Sequence, residues 1–296
     1  MLQSILAVTI CAEDLAAVEA AYTQYLHYRV AARGTVSAAL AAHWQAPAMT
    51  GRAWLLLQPA SGARLYLRFV QQADVDGYAP LKTYGWNATE ILVQDPDALA
   101  ATLTDSPFKI IGPPRNLSSN DNIRAMQVLG PANELLYLTR VEPGGSIFKL
   151  GSAATAVDHV FIVVNGQPDL EAARQFYADQ LRLDVTPPIG VRVSVLSKAH
   201  GLDPEELHRL AVVELRESGL IELDQYPQQA SARPQRPGEL PPGLALVTFG
   251  VAALEELALE FAAPPVRLCE PLYDGRRAAL LRGVAGEWIE LVETGL

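Results

Sequence analysis

Two cysteines, Cys11 and Cys269, are all that this 296-residue chain carries. They lie far apart in apolar surroundings, so a disulfide framework is excluded and both read as buried free thiols. Thiols of that kind suit a reducing compartment, and a cytoplasmic location is expected. No Cys/His pair has zinc-finger spacing. Long hydrophobic runs are also missing: nothing approaches the roughly 18 apolar residues that a membrane-spanning helix needs. The first residues, "MLQSILAVTICAEDL", lack a positively charged leader segment and read as a first strand instead of a signal peptide. Positive charge is scarce as well. The formal net charge is −10 and no Lys/Arg cluster occurs, which removes the local field that a nucleic acid or an anionic membrane surface would require. Neither a G-x-S-x-G elbow, nor a phosphate loop, nor a dinucleotide fingerprint appears. Half of the residues are hydrophobic, enough for a large core spread over two domains or one.

What the chain does contain is a pattern met four times. "ILAVTICAEDLAAVEAAYTQYLHYRV" is an apolar strand, an acidic turn and a helix, followed by the strands of "AWLLLQPASGARLYLRFV". The second pass opens at "NATEILVQDPDALAATL" and ends at "ANELLYLTRV". The third opens at "VDHVFIVVNGQPDLEAARQFYADQLRLDV" and closes on "GLIELDQYP"; the fourth opens at "LALVTFGVAALEELALEF" and closes on "GEWIELVE". Three of the passes carry an Asp or Asn turn suited to N-capping a helix, and the fourth does not. A Gly/Ser/Ala-rich stretch near residues 143–155 is the best boundary, and a proline-rich one, 228–243, joins the last two passes. The expected architecture is therefore α+β, four βαβββ modules paired into two halves. The first domain is expected over 1–145 and the second over 155–296.

In these motifs the chain resembles the vicinal oxygen chelate superfamily: the glyoxalases, bleomycin and fosfomycin resistance proteins and extradiol dioxygenases. "DHVFIVV…DLEAARQFYADQLRLDV" is similar to that family's first strand and helix, and "GVAGEWIELVE" to its closing hairpin. The resemblance implies that each pair of modules curls into a half-open, barrel-like domain (glyoxalase-like), with a divalent metal held by side chains from the first and last strands of paired modules. Such a metal would bind two neighbouring oxygens of a substrate and stabilise a developing anion.

Carried onto this sequence, the resemblance places metal ligands at His159, Glu222 and Glu290, a set suited to Zn, Fe, Mn, Co or Ni. Strand alternation turns Glu222 and Glu290 away from their apolar neighbours. Either glutamate would double as the catalytic base. The fourth position falls near Leu246, which cannot ligate, and an extradiol dioxygenase would need a histidine there. In the first half the matching positions, near Ala7, Leu67 or Arg68, Ala88 and Tyr137, leave a domain without metal. Trp86, Asn87, Glu90 and Arg124 could line a pocket there. Tyr226, Arg282 and His200 are candidates for holding the substrate. His200 and His208 flank "GLDPEEL", read as a short helix with Asp203 as its cap. His27 and His43 read as structural.

Each candidate has a plainer reading. His159 also fits a hydrogen-bonded histidine at a strand mouth, and either glutamate a solvated strand face. Two functions follow from the resemblance: a metal-dependent lyase or isomerase acting on a small oxygenated molecule, or a metal-free protein that sequesters a small molecule, as drug-resistance proteins do. The partner is a small molecule in both, and a homodimer is compatible with paired modules.

Overall fold

The computed structural model describes every residue except 118, 119, 256, 258 and 296. Module one runs β1 (Leu2–Ala12), α1 (Leu15–Tyr25), β2 (Arg29–Thr35), α2 (Ala38–His43), β3 (Ala53–Gln58) and β4 (Tyr66–Gln71). Module two is β5 (Gly85–Val93), α3 (Pro96–Leu103), β6 (Lys109–Leu117), β7 (Asn120–Leu129) and β8 (Leu135–Val141). Module three holds β9 (Val157–Gln167), α4 (Leu170–Gln175), β10 (Asp184–Val185), β11 (Ile189–Arg192), α5 (Ser194–His200), β12 (Leu207–Glu214) and β13 (Leu220–Gln225). Module four is β14 (Leu244–Val251), β15 (Ala263–Arg267), β16 (Arg277–Arg282) and β17 (Trp288–Glu293).

Local chemistry accounts for the helices. Asp14, Asp95 and Asp169 each accept hydrogen bonds from backbone N–H groups of the first turn of α1, α3 and α4, satisfying donors that the helix leaves free. The fourth module has no such cap. Among the described residues no helix follows β14, against the expectation of one over "ALEELALEF"; residues 256 and 258 of that stretch lie outside the described ones. The helix expected at "GLDPEEL" is a turn in which Asp203 accepts from Glu205 N–H, and the helix lies just before it as α5.

The modules pair differently from the expected division at 145–155. One eight-stranded sheet has the order β15-β16-β17-β14-β1-β4-β3-β2, and the other, of nine strands, runs β10-β12-β13-β9-β5-β8-β7-β6, with β11 on β12. Modules two and three thus form an inner half-barrel, and modules one and four an outer one. The first strands meet antiparallel at each seam, β5 with β9 and β1 with β14. Nothing local in the sequence selects the partner, because all four first strands are buried over nearly their whole length.

The convex faces of the two sheets and helices α1 and α4 enclose one shared core, from Val8, Tyr22 and Phe69 to Val163, Tyr177, Phe249 and Ile289. A repeated polar clasp ties the half-barrels together across it. Tyr22 donates to Glu134 Oε1 at 2.7 Å, while the other oxygen accepts from Ala132 N–H. Its counterpart Glu287 accepts from Asn165 at 2.9 Å, Tyr177 at 3.3 Å and Ala285 N–H. Burial raises both carboxyls, Glu134 to about 7. Glycine makes the room: a Cβ on Gly130 or Gly283 would lie 2.0 Å from the carboxylate oxygen. Gly283→Ala should therefore expel Glu287 from its donors and lower stability by about 2 kcal/mol in urea titration. An unchanged midpoint would mean that the clasp holds nothing.

Candidate functional site

Each half-barrel turns four in-register residues, two from first strands and two from last strands, toward its hollow face. In the inner half Glu90 lies opposite Tyr137, and Val164 opposite Glu222. In the outer half the same places hold Thr9 opposite Arg68, and Thr248 opposite Glu290. One half is open and the other is filled.

The inner half-barrel contains a cavity of about 250 Å³. Glu90, Tyr137, Thr139 and Glu222 lie on its strand floor, with Ala125 and Gln127 beside them. The insert of β11 and α5 forms one wall through Val191, Val193 and Val195, and Arg115 and Arg192 stand at the exposed rim. Arg115 donates to Ser194 Oγ, and Arg192 pairs with Glu205 at 3.1 Å. Thr139 donates to Glu90 Oε2 at 3.2 Å. Asp224, two residues along β13, shares the face of Glu222 and hydrogen-bonds to it. Burial raises Glu222 to about 7, and burial with the charge of Glu222 drives Glu90 and Asp224 well above the ordinary carboxylate range. One group can thus stay protonated beside an ionised one near neutral pH, which permits proton donation and acceptance within a single cavity. Burial also keeps the Tyr137 phenol protonated, as a donor.

The outer half-barrel is sealed from within. The Arg68 guanidinium donates to Thr9 Oγ1 at 2.9 Å and to the Tyr273 hydroxyl at 2.8 Å, and lies 3.4 Å from Glu290 Oε2. Glu290 further accepts from Tyr273 at 2.8 Å, Trp44 Nε1 at 2.9 Å and Thr248 at 2.6 Å, and meets His43 Nε2 at 3.1 Å. The Trp44 ring lies 4.6 Å from the guanidinium carbon. All of these side chains are buried. His43 and Trp44 arrive on α2, whose cap Ser37 accepts from Leu40 N–H and donates to Glu270. Burial works against the charge on Glu290, yet His43, Arg68 and Thr248 hold it down at about 2.

The three expected metal ligands do not meet. Glu222 faces the inner cavity and Glu290 the sealed outer half. His159 is on neither inward row: its Nδ1 lies 3.0 Å from Asp158 Oδ1, at the far end of β9, where Asp158 also accepts from Ser61. The inward position of β9 is Val164, five residues on, because pairing with β13 sets the register and the β5–β9 seam is bulged. The same correction moves the module-four position from Leu246 to Thr248, module one from Ala7 to Thr9 and module two from Ala88 to Glu90. Among the described residues no group of three His, Cys, Asp or Glu side chains has the arrangement of a metal site.

The substrate-binding candidates scatter too. Tyr226 is buried over Gly166, beyond the cavity lining, and its hydroxyl finds no hydrogen-bond partner among the described residues. His200 lies 2.8 Å from the Leu81 carbonyl oxygen. Arg282 stacks at 3.7 Å on Trp288, at the edge of the outer half. Of the residues proposed for a first-half pocket, Glu90 lines the inner cavity. Trp86 instead donates to the Trp288 carbonyl, Asn87 binds backbone around Gly85, and Arg124 pairs with Asp97. Asp224, Thr139, Arg115 and Arg192 carried no sequence signal of their own. Asp224 was within reach, since it follows Glu222 by one strand period. His43, read as structural, belongs to the Glu290 network.

Comparison with known proteins matches this geometry to a fold. Glyoxalase I from Zea mays superposes with a TM-score of 0.65 at 14% identity, over 98% of this chain and 92% of that one. A candidate dioxygenase from Bacillus subtilis gives 0.64 at 11% identity, over 99% and 85%. No protein-family profile and no curated protein sequence matches the chain. The chain has a glyoxalase-like fold, built of four modules. No helix among the described residues is long and apolar enough to cross a membrane.

Two substitutions separate the half-barrels by pH. Glu290 is depressed to about 2, so its contribution is present above the unfolded value near 4.5 and is lost as pH falls from there toward 2. Glu290→Gln strands a buried guanidinium and should cost about 3–5 kcal/mol at pH 7. Glu222 has the opposite sign: with its folded value raised to about 7, its stability is full below about 4.5 and is lost as pH rises through 7. Glu222→Gln should raise the melting temperature at pH 8 by about 4 °C, and the gain should vanish at pH 4.5. A gain at pH 8 no larger than that at pH 4.5 would overturn the assignment.

Proposed function

We propose that the protein binds a small organic molecule in the inner half-barrel cavity, held by Glu90, Glu222 and Tyr137, without a resident divalent ion. The observation that carries this reading is the contrast between one open and one internally filled half-barrel built on the same plan. Where the fold implies a metal, the inner inward row offers two carboxylates, a phenol and a valine, with no imidazole. Among the described residues no three His, Cys, Asp or Glu side chains have the arrangement of a metal site. The residues do not fit the ion, and no step is assigned to one. This reading favours the sequestering or recognition role over a metal-dependent lyase or isomerase.

A second reading keeps the lyase or isomerase chemistry and drops the metal. The protonated member of the Glu90/Glu222 pair would donate to a substrate oxygen while its ionised neighbour takes a proton from the adjacent carbon. Tyr137 would hold the oxygen. The raised carboxyls favour it, and solvent-proton exchange at the carbon next to a bound carbonyl, followed by NMR, would detect it.

The binding reading is tested by screening small polar organic compounds by thermal shift with and without a chelator. Saturable hits should persist in EDTA and disappear in Ala125→Phe, which fills the cavity. Hits that require added Zn or Mn, or that survive in the filled variant, would sink it.

A further inference from the structure

The sealed half-barrel is a template for what the open one receives. Each half-barrel has four inward positions of the same kind: Thr9, Arg68, Thr248 and Glu290 in the outer half, and Glu90, Tyr137, Val164 and Glu222 in the inner half. In the outer half, the hollow in front of the last-strand glutamate is filled by a guanidinium. That group is 3.4 Å from Glu290, hydrogen-bonded to Thr9 and Tyr273, and covered by the Trp44 ring. Its one positive charge answers the one carboxylate.

The inner half also has a last-strand glutamate, Glu222, and it carries a second acid, Glu90, on a first strand. None of its four inward positions carries a cationic side chain. Among the described residues no salt bridge reaches Glu90, Glu222 or Asp224, and no cationic side chain acts on any of the three. Two further groups at the cavity are unsatisfied. Tyr137 is 8% exposed and lines the cavity, and its hydroxyl has no hydrogen-bond partner among the described residues. Gln127, also 8% exposed and lining, has an unpartnered Oε1. Buried polar groups of this kind are ordinarily satisfied by something.

We propose that the ligand of the inner cavity carries an amidinium, guanidinium or similar planar cation, seated against Glu222 and Glu90 as the Arg68 guanidinium is seated against Glu290. The proposal rests on the cavity being the ligand site. Planar N–H donors match carboxylate oxygens in pairs, and the Tyr137 hydroxyl supplies a further polar contact for the same group. The rim arginines repel such a cation from the mouth and so favour its entry charged end first, with a neutral or anionic tail between Arg115 and Arg192. A cation held by both glutamates also draws off the proton they retain in the free protein, so binding releases protons to the buffer.

Isothermal titration on the full chain at pH 7 tests this with methylguanidinium and benzamidine against their neutral isosteres N-methylurea and benzamide. Manganese and zinc chloride are run alongside. The cations should bind at least about tenfold tighter than the isosteres, with a heat that changes between buffers of different ionisation enthalpy. They should lose about tenfold in Glu222→Gln and in Glu90→Gln, whose melting temperatures verify folding. Equal affinity for the isosteres, unchanged affinity in both variants, or binding of the metal salts alone would overturn the proposal. Neutral ligands that Ala125→Phe excludes, with no cation binding, would overturn the charge assignment and leave the cavity as the site. No ligand of any class sensitive to Ala125→Phe would remove both.

Discussion

Everything in this molecule hangs on two antiparallel seams, where first strand meets first strand. Each seam pairs two buried strands, and an unpaired strand there would bury a row of orphan backbone donors and acceptors. Once the seams form, the last strands fall parallel beside the first ones, and the four inward rows are fixed by register. The Tyr–Glu clasps then lock the convex faces across the shared core. Glu134 and Glu287 work because Gly130 and Gly283 leave space for a carboxylate turned back on its own hairpin.

That hierarchy explains which features were legible in the sequence. Module count, the three capped helices and the inward direction of Glu222 and Glu290 are local properties, written in periodicity and in Asp14, Asp95 and Asp169. The partner of each module is not local. Strand pattern alone does not say which first strands meet, and pairing of adjacent modules would bring Glu222 and Glu290 together, whereas the nested pairing separates them. His159 drew attention as the one histidine in such a strand, yet register across the bulged seam gives its place to Val164. His43 had no neighbour in the sequence to mark it, because its partner is 247 residues away.

The two hollows solve one electrostatic problem in opposite ways. A glutamate in a dry concave face is costly unless its charge is met or removed. In the outer half, Arg68 and a shell of hydroxyl and indole donors meet it, and α2 closes the space. In the inner half no cationic side chain among the described residues does so. The glutamates retain protons, and the insert that could have plugged the hollow lies along its wall instead. Residual volume and residual polarity therefore coincide at one place, the combination that marks a binding site in an otherwise close-packed protein.

The nested pairing also bears on how the chain can assemble. The inner half-barrel is continuous from β5 to β13, whereas the outer one joins β1 to β14 across more than half of the polypeptide. During synthesis, module one leaves the ribosome first and must wait for module four, with the edge of β1 unpaired in the meantime. Long-range pairing of this sort is slow and exposes strand edges to association. A completed inner half-barrel, presenting its convex face, gives the waiting strand a surface to dock on.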